Sequence, residues 1–115
     1  MSSGDSESEC FLYILKPGCA ARYDELHANV WPEVQEELRA SDYLRYDIYR
    51  WGDVVITVTE RNRHRRPKPV SERVQEQVDR WAELMAPLFI ASTDRDGNLL
   101  RAAPVFSLFQ QGEHS

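Results

Sequence analysis

The sequence predicts an α+β fold of the ferredoxin-like type, in which two helical segments cover one face of an antiparallel four-stranded sheet. Four short runs are rich in aromatic and β-branched residues, and two longer segments carry apolar residues at helical spacing. Their order along the chain is β-α-β-β-α-β, the split βαβ pattern. The length of 115 residues suits one domain with its own core.

The first strand and the first helical segment follow each other closely. The run CFLYILK reads as a strand and stops at Pro17 and Gly18, which together are a strong turn signal. From Ala20 onward, apolar residues recur every three or four positions. These positions are Tyr23, Leu26, Val30, Val34 and Leu38.

Pro32 interrupts this helical pattern. A proline cannot donate a backbone N–H, and its ring crowds the carbonyl of the residue four positions earlier. We therefore expect the helix to break around residues 29–31 and a second short helix to run from Pro32 to about Ala40.

A hairpin and a second helical segment follow. The runs YLRYDIYRW and VVITVTE are separated by Gly52 and Asp53, which is typical of an antiparallel hairpin. Ser71 can cap a helix that Pro87 should end. Its apolar positions are Val74, Val78, Trp81, Met85 and Leu88. After an Asp-Gly turn signal, APVFSLF is predicted as the last strand.

The two ends of the chain are predicted to lie outside the domain. Residues 1–9 are small, polar and acidic, without the basic start and apolar stretch of a signal peptide, so we expect a disordered tail in a cytoplasmic protein. The domain should span residues 10–109, followed by a second disordered tail at residues 110–115. Cys10 and Cys19 match no metal-binding spacing and are expected to be reduced.

The composition argues against several classes of partner. A net charge of −5 disfavours nucleic acid, and no apolar run approaches the length of a membrane span. No Gly-rich phosphate loop, H-E-x-x-H or Cys/His cluster is present, so we expect neither a cofactor nor a metal. The segment RNRHRRPKP opposes the acidic balance; we interpret it as a solvated loop, and contact with phosphate or an acidic partner is the alternative.

The first strand also predicts an oligomer. Phe11, Tyr13 and Leu15 alternate with Leu12 and Ile14, so both faces of this strand are apolar, whereas helices cover only one face of the sheet. A second copy of the chain is the simplest cover for the other face. We therefore expect a homodimer whose sheets pack face to face.

Among the three histidines, only His27 lies on a structured face. It follows Tyr23 by four residues, so the two side chains should lie one above the other on the side of the helix that faces the sheet. An imidazole there can give or take a proton near neutral pH, and the expected break at Pro32 would place it beside an opening. A core histidine held by a hydrogen bond is the alternative.

Other candidate residues come from the strands and the last helix. Tyr46 shares a strand face with Leu44 and Ile48, and Glu60 ends the third strand as a carboxylate at the edge of an apolar surface. Trp81 lies on the apolar face of its helix. Aromatic side chains around a histidine suit a sugar, because they pack against its C–H face, although the same residues also occur in ordinary cores.

The sequence resembles that of the L-rhamnose mutarotases, a family of dimeric α+β barrel proteins that interconvert the α and β anomers of a sugar. The similarity covers about residues 10–109. It rests on KPG after the first strand, Y-x-x-x-H-x-x-x-W-P-E from Tyr23, YDIY, Glu60, RW followed by LM, and the closing VFSL.

The resemblance implies an L-rhamnose mutarotase-like isomerase of the aldose 1-epimerase type, acting on L-rhamnose or another 6-deoxy sugar through acid/base ring opening. It implies that His27 is the catalytic proton donor and that Tyr23, Tyr46 and Trp81 contact the sugar. For the complementary base, Glu60, a tyrosine and water are the candidates.

The chain departs from the family pattern at two places. Ala82 stands where members usually carry a second aromatic residue, and the basic loop replaces a short helical segment. Both departures bear on which sugar fits, so L-fucose, another 6-deoxy sugar and a larger glycosidic ligand stay open beside L-rhamnose. Two alternatives to a mutarotase also stay open: another dimeric α+β barrel enzyme, such as a small monooxygenase or cyclase, and a non-catalytic dimeric module that binds ligands.

Overall fold

Four strands form an antiparallel sheet in the order expected for a split βαβ fold. The computed structural model describes residues 6–108. The strands are β1 (Ser6–Leu15), β2 (Tyr43–Trp51), β3 (Val54–Asn62) and β4 (Phe89–Ala91), and their spatial order is β2-β3-β1-β4. A short fifth strand, β5 (Leu100–Arg101), also pairs with β1. The ferredoxin-like α+β prediction is confirmed.

The break at Pro32 divides the first helical segment as predicted. Helix α1 spans Ala20–His27 and helix α2 spans Pro32–Ala40. Trp31 precedes the proline in an extended conformation, with ψ of 139°, and Pro32 occupies the first turn of α2, where its missing N–H costs nothing. His27 is therefore the last residue of its helix.

The remaining helix, α3 (Glu72–Met85), carries one clear capping interaction. The Ser71 hydroxyl accepts a hydrogen bond from the backbone N–H of Val74 at 3.2 Å, as its position in the sequence predicted. A single turn of 3₁₀-helix at residues 86–88 contains Pro87 and leads into β4. Among residues 6–108, no helix is both long and apolar enough to cross a bilayer.

One face of the sheet packs against the helices. Leu15, Val55, Tyr23 and Met85 are buried together, and Trp81 packs against this cluster. Because side chains alternate along a strand, the residues next to Leu15 and Val55 point to the opposite face. On that face Leu12, Ile14 and Ile56 are partly exposed, so the two-sided apolar character predicted for β1 is confirmed.

The structure corrects the predicted ends of the sheet. Ser6–Glu9 were expected in the disordered tail, but they extend β1 and pair with residues 59–62 of β3. Polar side chains stabilise this extension, since the Ser6 hydroxyl donates to Glu60 at 2.9 Å. The predicted tail residues 1–5 and 110–115 lie outside the described residues.

The predicted last strand is also wrong. APVFSLF is not a strand over residues 103–108, and β4 and β5 take the place beside β1 instead. The backbone N–H of Ala102 still donates to the Cys10 carbonyl at 2.8 Å, but Pro104 has no N–H with which to continue the ladder. Val105 and Phe106 are consequently exposed.

Candidate functional site

A cavity of about 1000 Å³ opens between α1, α2, α3 and β2. Its lining includes Tyr23, His27, Tyr46 and Trp81, four residues that the sequence singled out. The fifth, Glu60, does not line this cavity. It neighbours Thr59, whose side chain is buried on the helix-covered face, so the Glu60 side chain belongs to the opposite face, where it accepts the Ser6 hydrogen bond. The prediction of Glu60 as a possible base is therefore wrong for this cavity.

His27 and Tyr23 form the centre of the site. Their rings stack with centroids 4.0 Å apart and planes inclined by 23°, as their four-residue spacing on α1 requires. The Nδ1 atom of His27 lies 3.0 Å from the backbone carbonyl oxygen of Tyr23. A carbonyl oxygen only accepts, so Nδ1 carries the proton and Nε2 of the neutral ring has its lone pair available.

Two tryptophans extend the aromatic cluster around His27. The ring of Trp81 meets His27 edge to face at 5.4 Å, and the ring of Trp31 meets Trp81 in the same manner at 5.2 Å. Trp31 comes from the extended residue before Pro32, so the helix break also positions this ring. The histidine is thus held between two aromatic side chains of α1 and α3.

Ala82 lines the same cavity, directly after Trp81. A methyl group at this position leaves more room than an aromatic ring would. The departure noted in the sequence therefore falls on the site itself, and the accessible volume lies at the upper end of the usual range for small-molecule pockets.

An ion pair that the sequence reasoning missed joins two walls of the cavity. Arg50 of β2 donates to Asp24 of α1 through Nε at 2.7 Å and Nη2 at 2.5 Å, and Nη1 donates to the Gly52 carbonyl. These hydrogen bonds lower the pKa of Asp24, so its carboxylate stays ionised at neutral pH. The sequence did contain a signal for Arg50. It follows Tyr46 and Ile48 at every second position along β2, so all three side chains lie on the same face of the strand.

The tyrosines of the site are held in their neutral form. Burial, assisted by Tyr13 and Tyr43, raises the pKa of Tyr46 to about 12. Burial also raises the pKa of Tyr23, with Tyr46 as the next cause. Both phenols are therefore hydrogen-bond donors at neutral pH and cannot serve as bases.

The site offers no cluster of metal ligands. Within the described part of the chain, no three His, Cys, Asp or Glu side chains come together in a way that could hold an ion. The cavity provides the imidazole of His27, the phenols of Tyr23 and Tyr46, the Asp24 carboxylate paired with Arg50, and aromatic faces. Its lining also includes Glu37, Asp47 and Tyr49. Such a set can bind a polar ligand with an apolar face and move a proton on it.

The chain is similar in sequence to several known proteins. The chain is 28% identical over 106 residues to an L-rhamnose mutarotase of Paraburkholderia xenovorans, covering 89% of this chain and 95% of that one. It is 25% identical over 100 residues to one of Phocaeicola vulgatus, covering 87% and 96%. A shorter match, 46% identical over 44 residues, covers 38% of this chain and 42% of an L-rhamnose mutarotase of Verminephrobacter eiseniae.

The fold is also similar to that of a solved structure. The crystal structure of an L-rhamnose mutarotase from Formosa agariphila superposes with a TM-score of 0.60 at 20% identity, covering 89% of this chain and 98% of that one. The sequence profile of the family described as L-rhamnose mutarotase matches residues 8–108, which is nearly all of the domain. This chain belongs to the L-rhamnose mutarotase family.

Proposed function

We propose that this protein interconverts the α and β anomers of L-rhamnose or a related 6-deoxy sugar, with His27 as the group that moves the proton. The observation that carries the proposal is the state of His27: its Nδ1 is engaged by the Tyr23 carbonyl, so Nε2 is the atom left for chemistry in the cavity. Family membership favours this function over the monooxygenase, cyclase and ligand-binding alternatives.

The reaction needs only proton transfer. In the opening step, neutral His27 takes the proton of the anomeric hydroxyl, the C1–O5 bond breaks as the C1=O1 double bond forms, and the ring oxygen O5 receives a proton from the imidazolium. Rotation about C1–C2 and the reverse sequence give the other anomer. Because ring closure reverses ring opening, one imidazole can act as base and as acid in turn.

The other groups of the cavity suit binding rather than proton removal. Tyr46, with its raised pKa, can donate a hydrogen bond to a sugar oxygen, and Trp81 offers an aromatic face to the sugar C–H groups. The Asp24 carboxylate is occupied by Arg50. Water and the Glu37 carboxylate, which also lines the cavity, are the candidates for a second proton carrier beside His27.

We also propose that the protein works as a homodimer in the cytoplasm. The partly apolar sheet face opposite the helices supports the dimer, since face-to-face packing with a second copy would remove Ile14, Ile56 and the exposed Tyr49 and Trp51 from water. The two free cysteines are compatible with a reducing compartment.

Saturation-transfer NMR between the anomers of L-rhamnose tests the catalytic role of His27. We expect the wild-type protein to speed exchange and His27→Ala to lower the rate enhancement by about 10²-fold or more, the usual contribution of general acid–base catalysis. His64→Ala removes an exposed histidine of the basic loop and serves as the matched control. An undiminished rate in His27→Ala, or no enhancement by wild type on L-rhamnose or L-fucose, would contradict the proposal.

A further inference from the structure

A second cavity, of about 600 Å³, lies at the other end of the sheet. Strands β1, β3 and β5, the loop before β5 and the basic loop after β3 contribute its walls. Its polar lining consists of Glu7, Glu9, Arg61, Arg65, Asn98 and Arg101. None of these side chains lines the cavity around His27, so this is a separate site.

Positive charge exceeds negative charge in this cavity. Glu9 pairs with Arg101 at 3.2 Å, and Glu7 lies 3.9 Å from Arg65, at the outer limit of an ion pair. Arg61 forms no ion pair with any carboxylate of residues 6–108. The surrounding segment 63–68 adds further basic side chains, although the protein as a whole carries a net charge of −5.

Arg61 is held in place while part of its hydrogen-bonding capacity is unused. Its Nη2 donates to the Tyr43 hydroxyl at 2.7 Å, and the guanidinium carbon lies 4.4 Å from the centre of the Tyr43 ring. Its Nε is buried and has no acceptor among the described residues. Leaving a buried donor without an acceptor costs free energy, so a ligand that supplied an acceptor to this guanidinium would be stabilised there.

We propose that this cavity binds a small oxyanion, the phosphate or carboxylate group of a small molecule, with Arg61 as its principal partner. The planar guanidinium fork matches the oxygen spacing of both groups. Arg61, Arg65, Arg101 and the Asn98 amide border the same space, so their N–H groups can donate to the oxygens of one bound anion.

Titration of the full-length protein with inorganic phosphate, followed by ¹H–¹⁵N NMR at low ionic strength, tests the proposal. We expect saturable shifts of the amides of Arg61, Asn98 and Arg101, and weakening of binding by about tenfold in Arg61→Gln, which removes a charged hydrogen-bond donor. Glu9→Gln should tighten binding by about threefold, because it frees Arg101 and removes a competing carboxylate.

Matched variants distinguish phosphate binding in this cavity from nonspecific attraction to the basic loop. Arg63→Gln removes an exposed arginine of the same loop that does not line the cavity, and it should change phosphate affinity by less than about twofold, as expected for a screened surface charge. If Arg61→Gln fails to fold, Arg101→Gln replaces it and should also weaken binding. Shifts that do not saturate, or equal losses in Arg63→Gln and the cavity variants, would overturn the proposal.

A comparison of probes identifies the ligand chemistry. Saturation by phosphate, by acetate or by both supports a small-molecule site and shows which oxyanion it prefers. Binding to phosphatidylserine vesicles without any response to the free anions would overturn the proposal in favour of a lipid surface.

Discussion

At the scale of single residues, the site depends on which groups hold protons. His27 has its tautomer set by one backbone carbonyl, and the phenols of Tyr23 and Tyr46 are kept neutral by burial. The free Nε2 of His27 is then the atom through which the imidazole can exchange a proton with a ligand in the cavity. The sequence could suggest His27 from its spacing to Tyr23, but the hydrogen bond to a carbonyl depends on the helix being formed.

The two tyrosines of the site make stability depend on pH at the alkaline end. In the folded state their pKa is raised above the ordinary value of 10, so the folded protein keeps protons that the unfolded chain releases. This stabilisation is fully present below pH 10 and is lost as the pH rises toward 12. We expect the urea midpoint to fall over this range, and to fall less in Tyr23→Phe, which cannot ionise. If the urea midpoint fell equally with pH in the wild-type protein and in Tyr23→Phe, Tyr23 would not be responsible for the pH dependence.

At the scale of elements, local signals predicted the helices well and the sheet ends poorly. Pro32 and Ser71 act on their own neighbours along the chain, so the break between α1 and α2 and the start of α3 were readable from the sequence. The extension of β1 at Ser6 depends on Glu60, 54 residues away, and therefore left no local signal. Glu60 was misplaced for the related reason that the alternation along β3 did not say which face the helices cover.

The cap of α3 provides a quantitative test at this scale. Ser71→Ala removes the acceptor for the Val74 N–H, and we expect a loss of about 1 kcal/mol in the free energy of unfolding. Ser71→Asp keeps an acceptor at the same position and should retain most of the stability. Urea unfolding of the three proteins at pH 7 measures both effects, and a cost in Ser71→Asp equal to that in Ser71→Ala would show that the cap is not responsible.

At the scale of the whole molecule, the sheet carries different chemistry on its two faces. One face, with the helices, holds the His27 cavity, and the second cavity lies toward the end where β1, β3 and β5 meet. The opposite face carries Leu12, Ile14 and Ile56 in a partly exposed state, and Trp51 beside them is 79% exposed. An apolar surface of this kind on a small domain is typical of an interaction site.

A charge placed on this open face should therefore dissociate the homodimer. We expect the wild-type protein to elute from size-exclusion chromatography with light scattering at twice the 13.4 kDa chain mass at micromolar concentration. Ile56→Glu would bury an unpaired carboxylate between two sheets, at a cost of several kcal/mol, and should shift the protein to the monomer. Gln75→Glu adds the same charge on the exposed side of α3 and should stay dimeric. A wild-type monomer would remove the dimer proposal, whereas monomeric Ile56→Glu with an intact far-UV spectrum would assign the interface to this face.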